Sequence, residues 1–271
     1  MDFYQTYIER PMGSLVNVGA TQKDKDVLLK SLTLMNLAKK IAGSSLRLTY
    51  WRFGDCVVRV KFMGDNFWFC LPRGTDFNIF LNPYFHEYDI TRWVFRTLSS
   101  GDVFLDVGAH GGLYTVLAGR RVKETGIVLS FEPNPLNFGF LKYNVRLNNL
   151  GNVYLISKAA GDESGKIRLF YSAHETALTS SKKTGGESFE SEVTTVDEAA
   201  AELSLVKIMK IDTEGNDLNV LIGAVKTLQK TCFVIVEQNT SSVRKLLSDA
   251  GFQLSNLKPS GYLLAKQQLD C

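Results

Sequence analysis

Cysteine is scarce and scattered. Cys56, Cys70, Cys232 and Cys271 never stand in C-x-x-C spacing, which argues against a zinc cluster or a disulfide framework and makes reduced thiols in a cytoplasmic setting the expectation. Histidine is scarcer still. His86, His110 and His174 show no metal-ligand spacing, so no metal is expected from them. No apolar run approaches the ~20 residues that span a bilayer, and the opening M-D-F-Y-Q-T-Y-I-E-R is not that of a signal peptide. Neither sign of charge is in excess. The net charge is +3, with the basic residues dispersed, so neither nucleic acid nor an anionic membrane is an expected partner. Internal repeats and low-complexity tracts are lacking as well.

What is present is an ordinary globule, 45% hydrophobic and 22% charged over 271 residues, long enough for one doubly wound domain and an extension. The chain is organised around Gly101 to Gly119, G-D-V-F-L-D-V-G-A-H-G-G-L-Y-T-V-L-A-G. Val103 to Leu105 suit a buried strand, ended by Asp106. Gly108, Gly111 and Gly112 suit a tight turn, and Leu113, Val116 and Leu117 begin a helical spacing. Strand, glycine turn and helix together form a nucleotide cradle. An ordinary tight connection has the same composition. The spacing is D-x-G-x-x-x-G, however, not the dinucleotide G-x-G-x-x-G. An acid before the turn opposes a pyrophosphate and favours a cationic ligand. S-adenosylmethionine, with a sulfonium, an ammonium and no phosphate, fits that description. A second apolar strand, Gly126 to Glu132, also ends in an acid. Glu132 follows Gly108 by 24 residues, near the ~20-residue offset at which such an acid meets ribose hydroxyls.

Residues 1–80 read as a helix over Lys23 to Ile41 and a small antiparallel sheet, in which Cys56 to Phe62 and Phe67 to Leu71 flank a G-D-N hairpin signal. The aromatic excess there packs a small layer; the alternatives are an acceptor pocket or a homodimer contact. Residues 81–271 read as the catalytic domain. N-P-Y-F at Asn82 matches only loosely the N-P-P-Y loop of adenine methyltransferases. His86 and Glu87, in the segment approaching the glycine turn, are expected at the cofactor's edge. Asn134 and Pro135 look like an N-cap and first turn. Tyr154 and Lys158 have dehydrogenase spacing, but on a strand they stand ~13 Å apart. Lys166 to Tyr171 reads as an added edge strand, and the polar His174 to Ser191 as a mobile rim or lid. Thr195-Val-Asp-Glu198 reads as a capping box. A fourth strand ends at Asp212, a helix spans Leu218 to Leu228, a fifth strand ends at Glu237, and K-P-S-G joins a terminal hairpin.

D-V-G-A-H-G-G, F-E-P-N-P, A-A-G-D, T-T-V-D-E, K-I-D-T-E-G-N-D and V-E-Q occur in that order. Between Tyr84 and Ala265 the chain resembles the FkbM family of S-adenosylmethionine-dependent methyltransferases. That family usually has Asn where His110 stands and a bulky apolar residue where Gly111 stands. The resemblance implies a three-layer Rossmann-like α/β fold, with a mostly parallel seven-stranded sheet and an antiparallel C-terminal hairpin. It also implies O-methylation of a small or carbohydrate-like acceptor. Asp106, Gly108, Ala109, His110 and Gly112 would sit by the methionine end. Glu132 and Pro133 would sit by the ribose, Ala160 and Asp162 by the adenine, and Glu87 would approach from the preceding helix. Asp212, Glu214 and Glu237 would line the rim at the strand ends.

A base is expected to take the acceptor's hydroxyl proton: Asp212 first, then Glu237, then His86. Two such carboxylates side by side would bind a cation or share a proton. Asp212 could equally cap a helix, and Glu214 could balance a helix dipole. Two other classes carry some of the same features, a nicotinamide-dependent oxidoreductase and a catalytically silent cofactor-binding protein.

Overall fold

The computed structural model describes residues 5–7, 56–71, 87–172, 175–180 and 187–267. The helix expected over Lys23 to Ile41, the candidate base His86, and His174 lie outside them. The chain divides into two compact units, Met1–Tyr88 and Asp89–Cys271.

In the first unit, β1 (Gln5–Tyr7), β2 (Cys56–Phe62) and β3 (Asp65–Leu71) form an antiparallel sheet with β2 in the middle. The β2–β3 turn is Met63-Gly64, with φ of 48° and 87°, and the second strand resumes at Asp65. Two positive φ values are what a two-residue hairpin turn requires. Val60, Phe62, Phe67 and Phe69 are buried.

The second unit takes in α1 (Tyr88–Thr97) from Asp89 onward, then β4 (Val103–Val107), α2 (Leu113–Val122), β5 (Ile127–Phe131), α3 (Pro135–Leu147) and β6 (Val153–Ile156). There follow β7 (Ala159–Ala160), β8 (Gly165–Ser172), β9 (Glu175–Ser180), β10 (Glu187–Thr194) and α4 (Val196–Ala199). The rest is β11 (Val206–Ile211), α5 (Asp217–Ile222), α6 (Val225–Leu228), β12 (Thr231–Val236), α7 (Ser241–Asp249), β13 (Gln253–Asn256) and β14 (Leu263–Lys266). The main sheet runs β13-β14-β12-β11-β4-β5-β6. β14 alone runs against the direction of the other six strands.

The near-continuous apolar runs of β4, β5, β11 and β12 mark strands covered on both faces. On one face Leu105, Phe131, Met209 and Val234 pack with Val220, Leu221 and Leu228 of α5 and α6 and Leu247 of α7. On the other, Phe104, Val128, Ile208 and Ile235 pack with Ile90 and Val94 of α1 and Tyr114 and Ala118 of α2. The expected three-layer α/β fold is therefore present.

Four local expectations are corrected. The segment Lys166 to Tyr171 lies in β8, which is flanked by β10 and β9 and so is not an edge. Most of the proposed lid, His174 to Ser191, is strand: β9 and β10 pair antiparallel with β8, because backbone pairing holds a polar segment that side-chain burial would not. The helix Leu218 to Leu228 is two helices. A Cβ on Gly223 would lie 1.9 Å from the carbonyl oxygen of Gly161, and the Asp197 carboxylate accepts from the N–H groups of Lys226 and Thr227 at 3.0 and 2.7 Å, which starts α6 anew. Finally, Cys70 is a free thiol but Cys232 is disulfide-bonded, against the expectation of reduced cysteines.

The caps read from sequence are present. Asn134 accepts from the Leu136 N–H at 3.0 Å ahead of Pro135. Thr195 accepts from the Glu198 N–H at 3.1 Å, although the Glu198 carboxylate turns to Thr194 and Ser164 instead of closing the box.

Candidate functional site

The strand order reverses between β4 and β11, and their C-terminal ends define the switch point where open α/β sheets bind ligands. The two loops that leave it touch. The Asp212 N–H donates to Val107 O at 3.0 Å. Gly108, at φ 83°, lies so close that a Cβ would come within 1.8 Å of the Asp212 carbonyl oxygen. This glycine is therefore required by the chain's own backbone, whatever else binds there. The N–H groups of Gly108 and Ala109 are spent on Phe131 O, at 3.1 and 2.9 Å, which ties the glycine turn to the end of β5. Gly112, at φ 89°, packs under Leu141 of α3, and Asn144 donates to Gly111 O at 2.8 Å. His110 sits at φ 51°, a region in which Asn, Asp and His are the enriched non-glycine residues.

Asp106 lies inside β4, one residue before its end. In register beside it stand Ser130 on β5 and Lys210 on β11. It is fully buried. Its Oδ2 accepts from Thr115 Oγ1 at 2.6 Å, and Thr115 shares a hydrogen bond with Ser130 Oγ at 2.8 Å. Its Oδ1 is buried with no hydrogen-bond partner among the described residues. Burial raises the Asp106 carboxyl above its usual range, against the pull of Lys210. His110 Nε2 is the second buried atom here without such a partner; burial lowers its imidazole to about 4, so it is neutral at ordinary pH.

Glu132 is 4% exposed. Its Oε2 accepts from the His110 N–H at 2.8 Å and its Oε1 from the Asn134 N–H at 2.9 Å. Burial outweighs these bonds and pushes the carboxyl up to about 7. Pro133 follows it, half-buried. Ala160 is buried in β7, its carbonyl accepting from Asn216 at 3.0 Å, so the loop after β11 is stitched to the A-A-G-D turn. Asp162 is exposed in that turn. Glu87 stands in the turn ahead of α1, half-buried, in the first unit.

Asp212 and Glu237 follow adjacent parallel strands and do lie side by side. One oxygen from each of Asp212, Glu214 and Glu237 falls within 4.8 Å of the others. Like charges this close bind a cation or share a proton, and here the chain supplies both a proton and a positive charge. Burial, then the Asp212 and Glu214 charges, push Glu237 up to about 8. The ammonium of Lys210 lies 2.8 Å from Asp212 Oδ2 and, against the burial, holds Asp212 below the usual carboxylate range. Glu214 takes φ 51° and Gly215 φ 111°, so the turn carrying these acids is held in a sparsely populated conformation.

Three residues important to this geometry were not singled out from sequence. Lys210 is 2% exposed; a lysine inside the apolar run V-K-I-M-K-I was the available signal, since lysine is almost never buried unpaired. Asp217 accepts from the Thr213 N–H and Oγ1 at 2.9 and 2.5 Å and from the Gln238 N–H at 2.9 Å, clipping the turn after β11 to the end of β12. Tyr262 donates to Asp212 Oδ2 at 3.2 Å, a contact across 50 residues that no local pattern announces. Conversely, the Tyr154/Lys158 spacing makes no pair, because Tyr154 is exposed on β6 and Lys158 is bridged to Glu192 at 2.7 Å.

Residues 106–254 match the family described as Methyltransferase FkbM domain. Over 170 residues the chain is 31% identical to the hexuronic acid methyltransferase AglP of Haloferax volcanii, a match covering 60% of this chain and 69% of that one. Among solved structures it is similar to a methyltransferase FkbM from Methylobacillus flagellatus KT, with a TM-score of 0.45 and 18% identity, covering 62% of this chain and 44% of that one. It is also similar to a SAM dependent methyltransferase from Aquifex aeolicus, with a TM-score of 0.40 and 14% identity, covering 68% of this chain and 91% of that one. The family match takes in more than half of the 271 residues and encloses the glycine turn, Glu132 and the acids after β11 and β12: this chain belongs to the FkbM methyltransferase family.

Proposed function

We propose that the chain transfers a methyl group from S-adenosylmethionine to a hydroxyl oxygen of a carbohydrate-like acceptor, with Asp212 receiving the hydroxyl proton. The observation that carries the cofactor reading is the pair of buried polar atoms without partners at the switch point, Asp106 Oδ1 and His110 Nε2. The methionine end of the cofactor offers an ammonium and a carboxylate. Asp106 suits the first as an acceptor, and neutral His110 suits the second as a donor. The residues present therefore fit the group. Glu132 is the acceptor for ribose hydroxyls, with Pro133 beside it and Ala160 and Asp162 on the adenine side. The bound cofactor supplies an activated methyl on a sulfonium that is already a good leaving group. What the protein adds is orientation and a base. Asp212 is ionised beside Lys210 and follows the strand next to the glycine turn, so it suits the role better than Glu237, which holds a proton.

The family and the activity in the relative's name support the carbohydrate class of acceptor. Dispersed basic residues speak against nucleic acid. No helix among the described residues is long and apolar enough to cross a membrane. A cytoplasmic setting belongs to the same reading, although the Cys232 disulfide runs counter to it. So does a homodimer contact on the aromatic N-terminal unit, which sedimentation of a monomer at micromolar concentration would remove.

Calorimetry with S-adenosylmethionine and its demethylated product tests the cofactor, and turnover on a panel of hydroxylated sugars tests the acceptor. Asp212→Asn is expected to keep cofactor affinity and to lose at least ~10²-fold in turnover. Normal turnover by that variant rules out Asp212 as the base. Cofactor binding without turnover on any acceptor favours a silent binding protein.

A further inference from the structure

Lys210 has entered so far only as the charge beside Asp212, yet it is the least expected residue in the sheet. An ammonium withdrawn from water costs several kcal/mol unless it is paired. Lys210 is 2% exposed, its Nζ lies 2.8 Å from Asp212 Oδ2 and 4.6 Å from the centre of the Tyr114 ring, and its neighbour in register on β4 is Asp106. Tyr262, 3% exposed, stands just ahead of β14 and donates its hydroxyl to the same Oδ2 at 3.2 Å. Two donors 52 residues apart in the chain thus converge on one oxygen of one carboxylate.

We propose that Lys210 and Tyr262 are positioning residues that hold Asp212 by Oδ2 and present its other oxygen to the acceptor hydroxyl. In the step itself the S–CH3 bond breaks with its electron pair going to sulfur, the O–CH3 bond forms, and the hydroxyl proton passes to Asp212; Lys210 keeps its proton throughout. This deepens the methyl-transfer reading above and rests on it.

The groups acting on Asp212 show why Lys210 decides its charge. Lys210 lies on its own strand, Asp106 on β4, His110 in the loop after β4, Asp217 on α5, Glu237 after β12 and Tyr262 ahead of β14, with Glu214 beside Glu237. Of these named groups Lys210 is the cation and His110 is neutral; burial opposes the charge on Asp212, and the pull of Lys210 is the largest effect set against it. Without Lys210 the Asp212 carboxyl rises, and the acid limb of the rate profile rises with it.

The test is the pH dependence of kcat/KM for Lys210→Met, Tyr262→Phe and Asp212→Asn, with cofactor Kd measured in parallel. Lys210→Met should move the acid limb up by ~1–3 pH units and recover much of its rate at high pH. Tyr262→Phe should move it the same way by less, with cofactor Kd unchanged. A uniform loss of rate at every pH, without movement of the limb, would mean that these residues only support the fold and would overturn the proposal. If Lys210→Met does not fold, Tyr262→Phe decides alone, since it removes one oxygen and keeps the ring. Full turnover by Asp212→Asn brings down the base assignment and this proposal together. A slow Asp212→Asn combined with a Tyr262→Phe profile like wild type brings down only this one.

Discussion

Glu132 stands with both oxygens already accepting backbone N–H bonds, yet burial holds its carboxyl at about 7. Because its folded value lies above the ordinary 4.5, the folded chain binds more protons than the unfolded one between those limits. Its share of stability is therefore highest below about 4.5 and is lost as pH rises toward 7, on the order of 3 kcal/mol in the absence of ligand. A ribose hydroxyl donates to the ionised form. Cofactor affinity is thus expected to weaken about tenfold per pH unit below pH 7, and Glu132→Ala to flatten that slope as well as to bind weakly. Calorimetry from pH 5.5 to 8.5 checks both; a flat wild-type profile removes Glu132 from the ribose. Glu132, Asp212 and Glu237 were legible in the sequence because each follows an apolar run and stands at a strand end, whereas Asp106, read as ending its strand, lies inside β4 with Val107 after it. Lys210, Asp217 and Tyr262 were not legible. Their roles come from which strands become neighbours, and strand order is a property of the whole chain.

Among the elements, the glycines divide into those that the fold demands and those it tolerates. Gly108 combines φ 83° with a Cβ position 1.8 Å from a backbone oxygen. Gly139 lies exposed in α3 with nothing within 4 Å of its would-be Cβ. Gly139→Ala is expected to stabilise the chain by roughly 0.5–1 kcal/mol through helix propensity, whereas Gly108→Ala should abolish soluble expression or lower Tm sharply. Thermal melts of the two side by side check this, and a tolerated Gly108→Ala would mean that the two loops do not touch. The same distinction explains the misread helix. Apolar spacing from Leu218 to Leu228 is continuous, but Gly223 is pressed against Gly161 O and Asp197 recaps the chain. Periodicity reports which side of a segment is buried, not whether its axis is unbroken. Strands β9 and β10 were missed for a related reason, since a polar pairing on a small sheet leaves no apolar alternation to read.

At the scale of the whole molecule, charge is balanced locally. The crowded carboxylates after β11 and β12 face the buried ammonium of Lys210, which offsets part of the negative charge that a divalent cation would otherwise balance. Turnover is therefore expected to survive exhaustive chelation; loss on chelation, with recovery on adding magnesium or manganese, would show otherwise. With +3 net charge and dispersed lysines, DNA or RNA should show no saturable binding at physiological salt, as a filter or anisotropy assay would reveal. One feature of the sheet also bears on how the protein is made. β14 threads between β12 and β13, and the turn before it is fastened to the first turn of α1 by Ser260, whose N–H and Oγ donate to Asp89 Oδ2 at 3.2 and 2.8 Å across 171 residues. Synthesis runs from one end of the chain to the other. A nascent chain stalled before residue 262 would thus hold Asp106, Glu132, Asp212 and Glu237, but not the hydroxyl that secures Asp212 or the strand that fills the gap in the sheet. If the proposed roles hold, the ribosome releases the residues that bind the cofactor before the one that secures the base.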